Sequence, residues 1–256
     1  MTNQYVVLEH LLQYIDDLLG VRDHPDYPGA ANGLQVEGPN EVAHIAAAVD
    51  ASEETIVAAV ESGADLLLVH HGLFWQGLRP LTGRRFRKVA GLIRGNVALY
   101  SVHLPLDGHP ELGNCALLAR ELGIDLQGRF GIFENEAVGW WGQVEPTAPE
   151  RFLQHVGAMV GGPAQLLRGG DHPVRSVGVI TGGGGAFLED AARQGLDTFV
   201  TGEASHHAYV DALELGVHVI LAGHYATETY GVKALASHLA TRFGLTWTFL
   251  DCPSGL

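Results

Sequence analysis

The chain has 256 residues, 46% hydrophobic and 17% charged, so it can bury a sizeable core and is neither disordered nor of low complexity. Its formal net charge of −14 argues against a nucleic-acid partner, because nucleic-acid phosphates would be repelled. Cys115 and Cys252 lie far apart without a CxxC pair, which indicates neither a disulfide framework nor a thiolate zinc site. This cysteine usage suits a reducing cytoplasm, where we expect the protein to be located. No run of about 18 apolar residues occurs, so we expect no transmembrane helix and no membrane partner.

Helices and strands alternate along the chain, which is the pattern of an α/β protein. In chain order we predict a helix at 2–20, strands at 34–36 and 44–50, a helix at 52–63, a strand at 65–70, a helix at 84–95, a strand at 96–107, a helix at 113–123, a strand at 139–144, a helix at 147–161, a strand at 176–180 and a helix at 186–195. The first helix carries acidic residues inside its apolar pattern, unlike a signal peptide. At the start of the fifth helix, Thr147 and Glu150 have capping-box spacing and Pro149 lies in the first turn.

Part of the sequence is repeated. Residues 45–71 can be laid over 177–203 at an offset of 132, which places Asp65 on Asp197. Any two βαβ units share a hydrophobic pattern, so this match alone is ambiguous. A second match, between the segments SVHLPLD and AGHYATE, places a histidine four residues before a carboxylate in both halves of the chain.

We therefore predict an α/β fold built from two related α/β lobes, with mixed sheets flanked by helices. The lobes cover approximately 1–128 and 129–256. Their strand ends would face a common cleft, since ligands bind at the strand ends of such sheets.

Two adjacent histidines end the predicted strand DLLLVHH. His70 and His71 could mark an ordinary sheet edge or bind metal, and their partners elsewhere decide. Because adjacent strand residues point to opposite faces, we expect the two rings to serve different ions of a dinuclear metal site in the inter-lobe cleft. Asp107 would complete the shell of one ion and His224 that of the other, while Glu228 would bridge them. A mixture of imidazole and carboxylate is typical of zinc, iron or manganese sites.

Six motifs together resemble the Nif-three-like family, whose bacterial members are commonly labelled GTP cyclohydrolase 1 type 2 homologues. They span essentially the whole chain and are NGLQV (32–36), VHHGLFW (69–75), SVHLPLD (101–107), TGGGG (181–185), TGEASHH (201–207) and GHYATE (223–228). The resemblance implies a single Nif-three-like domain over 1–256, without the domain that longer members insert. It also implies a ring-shaped homohexamer whose sites face an internal cavity.

The same resemblance implies a dinuclear centre with two divalent ions per subunit, which are zinc, iron or manganese. His70 and His224 would bind one ion. His71 and Asp107 would bind the other, and Glu228 would bridge the two.

Two close divalent ions activate water and stabilise the negative charge that forms when hydroxide attacks carbon or phosphorus, so hydrolysis is the default chemistry. Glu228 and His103 are the candidate catalytic residues, although His103 could orient a ligand, shuttle a proton or simply pack. The family label suggests opening of the guanine imidazole ring of GTP, a cyclohydrolase reaction on non-peptide C–N bonds of a nucleotide-like small molecule. The alternative is a non-catalytic metal-binding or metal-handling protein that acts through protein partners.

Other features leave alternatives open. TGGGG (181–185) predicts either a tight βα turn or an anion-binding loop. Phe74 and Trp75 could stack on a base or form apolar walls of the cleft, and Glu203 could bind substrate or hold a metal-bound water. The second doublet, 206–207, is interpreted as a helix face near the cleft.

One basic cluster stands out in this acidic chain. We interpret it as a solvated helix face rather than a nucleic-acid patch, because it lacks aromatic interleaving and a second patch. It consists of Arg84, Arg85, Arg87 and Lys88.

Overall fold

The computed structural model describes residues 4–75 and 79–255, in which helices and strands alternate as expected. The first elements are β1 (Val6–Val7), α1 (Leu8–Leu19), β2 (Gly33–Val36), β3 (Glu41–Val42), β4 (His44–Asp50), α2 (Glu53–Glu61), β5 (Leu66–His71), α3 (Gly83–Gly95), β6 (Ala98–Ser101) and α4 (Leu104–Asp107). The later elements are α5 (Asn114–Glu121), β7 (Asp125–Phe133), β8 (Glu136–Thr147), α6 (Pro149–Val160), β9 (Gln165–Leu167), β10 (Val174–Ile180), α7 (Leu188–Arg193), β11 (Thr198–Thr201), α8 (Ala208–Leu215), β12 (His218–Leu221), α9 (His224–Thr227), α10 (Thr229–Phe243) and β13 (Thr246–Phe249). None of the described helices is both long and apolar enough to cross a membrane.

The chain divides into two compact units. Unit 1 runs to Leu106 and also contains Gly231–Cys252, whereas unit 2 contains Asp107–Tyr230. This division differs from the predicted lobe boundary between residues 128 and 129. Helix α5 packs on β8 and β10, which places it in unit 2, and β13 returns to unit 1 because it pairs with β4.

Unit 1 is built on a five-stranded sheet in the order β13-β4-β5-β6-β2. Four strands are parallel, and β2 pairs antiparallel with β6. Parallel strands covered on both faces must be apolar throughout, and residues 66–69 of β5 are fully buried. Helices α2 and α3 contribute Ile56 and Leu92 to this core. The carboxyl ends of β4 and β5 therefore lie side by side, and they end in Asp50 and His71.

Unit 2 is built on a six-stranded sheet in the order β7-β8-β10-β11-β12-β9. The central strands β10, β11 and β12 are parallel, and β8 and β9 pair antiparallel with them. Segments beginning at Thr181, Gly202 and Ala222 follow the three parallel strands at one edge of the sheet. The predicted α/β class, with mixed sheets flanked by helices, is confirmed.

The predicted internal repeat appears in the strand register of both units. Ile45 pairs with Leu66 between β4 and β5, and Val177 pairs with Thr198 between β10 and β11. Both residues of the second pair follow those of the first by 132 positions, which is the offset found in the sequence. The two units thus carry the same parallel β-α-β arrangement.

One carboxylate ties each repeat together. The Asp65 carboxylate accepts hydrogen bonds from the backbone N–H groups of residues 43–44, at 2.8 and 3.0 Å. The Asp197 carboxylate accepts them from the backbone N–H groups of residues 175–176, at 3.1 and 2.9 Å. The sequence match of these two aspartates therefore has a structural cause, because each satisfies amides at the start of the neighbouring strand.

The predicted strand at 96–107 is too long. Strand β6 ends at Ser101, and the N–H of His103 donates to the side chain of Asn32 at 2.8 Å instead of to a neighbouring strand. Asp107 lies on the short helix α4. The two candidate residues of this segment therefore follow the strand and are not part of it.

The capping-box prediction for the helix at 147–161 is wrong. Thr147 is the last residue of β8 and pairs with Val174, so the sheet determines its backbone. Ala148 occupies the N-cap position and makes no side-chain cap bond. Pro149 does lie in the first turn, as predicted.

Substituting Asp197→Ala should lower the free energy of unfolding by about 2 kcal/mol, because it leaves strand amides without a charged acceptor. Denaturant unfolding followed by circular dichroism measures the change. Glu214→Ala, at an exposed position of α8, is the control and should stay within about 0.5 kcal/mol of the parent protein. Equal effects of the two substitutions would contradict the role given to Asp197.

Candidate metal centre

Three imidazole rings of unit 1 come together at the carboxyl end of β5 and just after β6. One ring nitrogen from each of His70, His71 and His103 lies within 4.8 Å of the others. The ring centroids of His70 and His71 are 4.8 Å apart, and those of His70 and His103 are 4.9 Å apart. Strand alternation predicted that His70 and His71 would point to opposite faces, but their rings converge. Strand β5 ends at His71, and the ring of this last residue is oriented by a hydrogen bond to Asp50 at the end of the neighbouring strand β4.

Each histidine of the doublet is held through its Nδ1 atom. The Nδ1 of His70, a fully buried residue, lies 3.0 Å from the backbone carbonyl oxygen of Val102. The Nδ1 of His71 lies 2.9 Å from a carboxylate oxygen of Asp50, its register partner at the end of β4. The β4–β5 pairing therefore positions both the ligand candidate and the carboxylate that orients it.

His103 is held in the same way by the loop before β2. Its Nδ1 lies 2.8 Å from Oδ1 of Asp26, whose other oxygen accepts from the side-chain amide of Asn32 at 2.9 Å and from the N–H of Leu104 at 3.0 Å. Burial would raise the pKa of Asp26, but the hydrogen bond and charge of His103 and the bond from Asn32 lower it overall. Asp26 is therefore ionised at neutral pH and can only accept hydrogen bonds.

These contacts determine which ring nitrogen is available to a metal. Carbonyl and carboxylate oxygens accept hydrogen bonds and do not donate them, so the Nδ1 of His70, His71 and His103 must carry the proton. The neutral ring then has its lone pair on Nε2, which is the atom that can bind a metal. Histidine ligands of metal sites in proteins are commonly held in this way, with the second nitrogen donating to a carbonyl or carboxylate.

In unit 2, His224 lies between two carboxylates. It opens α9, with Nδ1 at 3.0 Å from Glu203 and Nε2 at 3.2 Å from Glu228. The hydrogen bond with Glu228, opposed by burial and reinforced by Glu203, raises the pKa of His224 to about 9. Glu228 is itself buried. A divalent cation between Nε2 and Glu228 would take the place of the Nε2 proton.

Asp107 occupies a buried polar position in unit 2. Its Oδ1 accepts hydrogen bonds from the side-chain amide of Asn114 at 2.9 Å and from the hydroxyl of Thr181 at 3.1 Å. Burial, reinforced by the charge of Asp107, raises the pKa of Cys115 to about 12. The thiol therefore stays protonated at neutral pH, and carboxylate and imidazole groups are the metal-binding candidates.

The TGGGG loop packs against this carboxylate group. Gly182 has φ +60°, and a Cβ atom at this position would lie 1.9 Å from Oε1 of Glu228. Its N–H donates to the hydroxyl of Thr227 at 3.0 Å, and its carbonyl accepts from the N–H of Glu203 at 2.9 Å. Glycine is needed at position 182 because a side chain there would keep Glu228 and His224 from approaching the backbone of this tight turn.

The second doublet does not join these groups. His206 and His207 are exposed, and Nε2 of His207 lies 3.2 Å from the hydroxyl of Ser205. Among the described residues, neither of the two belongs to a cluster of three or more metal-binding side chains.

Sequence reasoning missed the residues that orient the ligand candidates. Asp50 carried a usable signal, because it is a carboxylate that ends a predicted buried strand. Asp26 carried none, since it lies in a loop rich in proline and glycine without any periodic pattern. Asn114 and Thr181, which hold Asp107, read as ordinary residues of a helix start and a turn.

The family model described as Duf34/NIF3 (NGG1p interacting factor 3) matches residues 6–253. This chain belongs to the Duf34/NIF3 family. The resemblance predicted from the motifs is thus confirmed.

Relatives of this NIF3 family member match it over nearly their whole length. A Halobacterium salinarum protein named GTP cyclohydrolase 1 type 2 homolog is 47% identical over 94% of this chain and 96% of its own. A Deinococcus radiodurans protein of the same name is 41% identical over 97% of this chain and 94% of its own. The crystal structure of TTHA1606 from Thermus thermophilus has a TM-score of 0.89 at 41% identity, and the match covers 98% of this chain and 100% of that chain.

Substituting Gly182→Ala should displace Glu228 from His224, because the new methyl carbon would lie only 1.9 Å from Oε1 of Glu228. In protein stripped of metal, the pKa of His224 should then fall from about 9 toward its ordinary value, as measured by an NMR titration. The strained backbone should also cost more than about 1 kcal/mol of unfolding free energy. Gly183→Ala is the matched control, since its Cβ would meet nothing closer than 3.8 Å. An unchanged His224 titration in Gly182→Ala would contradict the described packing.

Proposed function

We propose that this NIF3 family member is a metal-dependent hydrolase with two divalent ions per chain. The proposed ligands are His70, His71, Asp107, His224 and Glu228. One observation carries the proposal: the Nδ1 atom of every proposed histidine ligand is held by an oxygen acceptor. Nε2 is therefore the nitrogen offered to metal, in His224 once the ion takes the place of the proton shared with Glu228.

The chemistry of the donor set fits such ions. Three imidazoles with two carboxylates suit zinc, iron or manganese, whereas magnesium and calcium prefer oxygen ligands alone. Unit 1 supplies two imidazoles, those of His70 and His71. Unit 2 supplies the imidazole of His224 and both carboxylates, Asp107 and Glu228. That the two sets share a dinuclear site is part of the proposal, and the family resemblance supports it.

When bound, two divalent ions would supply an activated water and would stabilise negative charge on the attacked centre. The chain's own residues have distinct tasks beside them. Asp26 holds the Nδ1 proton of His103, so that the Nε2 of this ring can accept a proton during the reaction. Asp50 and Glu203 orient His71 and His224 in the same manner.

For the substrate we propose a nucleotide whose C–N bond is hydrolysed. The support is the name of the relatives, GTP cyclohydrolase 1 type 2 homolog, together with the aromatic ring of Trp75, whose centroid lies 5.6 Å from that of His71. An aromatic ring beside a proposed metal ligand is suited to stacking on the flat base of a nucleotide. A homohexameric ring is part of the same proposal.

Metal content tests the ligand set. Elemental analysis of purified protein should show about two divalent ions per chain, and His70→Ala, His224→Ala and Glu228→Ala should each lower this number. His206→Ala is the matched control, because this exposed histidine lies outside the proposed ligand set. Metal content that is the same in all four variants would refute the proposal.

Turnover separates an enzyme from a metal-handling protein. Product formation from GTP and other nucleotides should disappear on chelation, return with added metal and be lost in Glu228→Ala. The reaction is followed by chromatography of the nucleotide products. Normal metal loading without any product would instead support the non-catalytic alternative.

A further inference from the structure

We propose that a cavity beside the histidine group of unit 1 binds the phosphate of a phosphorylated small molecule that also carries a planar ring. This inference rests on the proposed function, because it assigns the substrate class of the same site. The cavity has a volume of about 280 Å³. Its chemically distinctive lining residues are Phe74, Trp75, Arg79, Arg84, Arg85 and Lys88.

The cavity concentrates positive charge in an acidic protein. Four of the chain's 15 lysines and arginines line it, although the formal net charge is −14. No aspartate or glutamate is among the described residues that form its wall. Two carboxylates outside this wall, those of Glu53 and Asp50, also act on these cations. The four cations outnumber them, so the local potential in the cavity is positive and attracts an anion.

The start of α3 strengthens this potential. Arg84 and Arg85 lie in its first turn, which contains no acidic residue, and the side chain of Thr82 makes no N-cap bond. A helix N-terminus carries partial positive charge, so two arginines there are unfavourable without a counter-charge. A bound phosphate reverses this balance, because it would interact favourably with both guanidinium groups and with the helix end.

One member of the predicted basic cluster, Arg87, pairs with a carboxylate instead of facing the cavity. Arg87 makes two hydrogen bonds to the carboxylate of Glu53, at 2.7 and 2.8 Å, and does not line the cavity. The interpretation as a solvated helix face suits this residue. Arg84 and Arg85, by contrast, line the cavity, and Arg84 interacts with Glu53 through charge alone, because that carboxylate is hydrogen-bonded to Arg87.

Lys88 provides a partly buried donor at the same cavity. Its ammonium group donates to the carbonyl oxygen of Ala51 at 2.6 Å. An ammonium group has three donors, so this anchor leaves two for a ligand. Burial, and then the charge of Arg84, lowers the pKa of Lys88, although Glu53 and Asp50 partly oppose this shift. A bound anion would oppose it further.

Trp75 links the cavity to the histidine group. Its ring centroid lies 4.7 Å from that of His103 and 5.6 Å from that of His71. A planar group stacked on Phe74 or Trp75, with its phosphate at Arg84 and Arg85, would therefore extend toward the histidines. The volume lies just below the usual range for small-molecule pockets, about 300–1,000 Å³, so the cavity holds only part of such a ligand.

Isothermal titration calorimetry with metal-loaded protein tests this assignment, using guanosine monophosphate, guanosine and inorganic phosphate as probes. We expect guanosine monophosphate to bind at least about tenfold more weakly to the double variant Arg84→Ala/Arg85→Ala than to the parent. Arg94→Ala, an exposed arginine in the last turn of the same helix, should bind like the parent. Guanosine should bind at least about tenfold more weakly than its monophosphate, and inorganic phosphate should compete.

Three outcomes would overturn the assignment: unchanged affinity in the double variant, equal affinity for guanosine and its monophosphate, or no binding of the monophosphate by metal-loaded parent protein. Affinity for single-stranded oligonucleotides that exceeds that for the monophosphate and rises with length would also overturn it, in favour of a nucleic-acid surface. Metal content is measured on the same samples. Normal metal content together with unchanged binding of the monophosphate in the double variant would defeat the phosphate subsite alone. Absence of metal from the purified protein, together with monophosphate binding that still depends on Arg84 and Arg85, would defeat the proposed function alone.

Discussion

The hydrogen bond from Nδ1 of each candidate histidine to a protein oxygen is the interaction on which the rest of the site depends. A neutral imidazole has one donor and one acceptor nitrogen, so a partner that only accepts decides which nitrogen keeps its lone pair. For His71, His103 and His224 that partner is a carboxylate, which also makes the ring a more basic ligand. Without these bonds, the rings could rotate or change tautomer, and the same residues would be poor ligands.

Strand pairing and the internal repeat determine where these hydrogen bonds form. Asp50 and His71 end adjacent parallel strands and are register partners, so strand pairing alone brings the carboxylate to the ring. In unit 2 the repeat offset of 132 puts Glu203 at the position equivalent to His71. Glu203 there orients His224. The repeated β-α-β arrangement thus places a ligand candidate, His71, at this strand end in unit 1 and an orienting carboxylate, Glu203, at the equivalent position in unit 2.

Much of this organisation can be predicted from the sequence, because strand periodicity and helix stops are local signals. Strand β4 has the predicted bounds, and the offset between the halves reappears in strand register. The orientation of His70 and His71 cannot be predicted in this way, because alternation applies within a strand and His71 is the last residue of β5. The role of Asp26 depends on a loop folding back onto His103, and no periodic pattern encodes such a contact.

The glycines of the TGGGG loop show the same limit. Their number predicts a tight turn, yet the reason for Gly182 is the close approach of Glu228, a residue 46 positions later in the chain. Long-range contacts of this kind decide the chemistry of the site, whereas local patterns decide the fold that carries it. The Duf34/NIF3 family model covers both the fold and the candidate site, since the matched region includes the strands, the loop and every proposed ligand.

The most direct test of the proposed centre is anomalous diffraction from crystals of metal-loaded protein, collected at the absorption edge of the bound metal. A dinuclear centre at these residues should give two metal peaks per chain, with bonds to the Nε2 atoms of His70, His71 and His224 while their Nδ1 atoms keep their oxygen partners. Absence of metal at these residues, or bonds to metal through Nδ1, would contradict it.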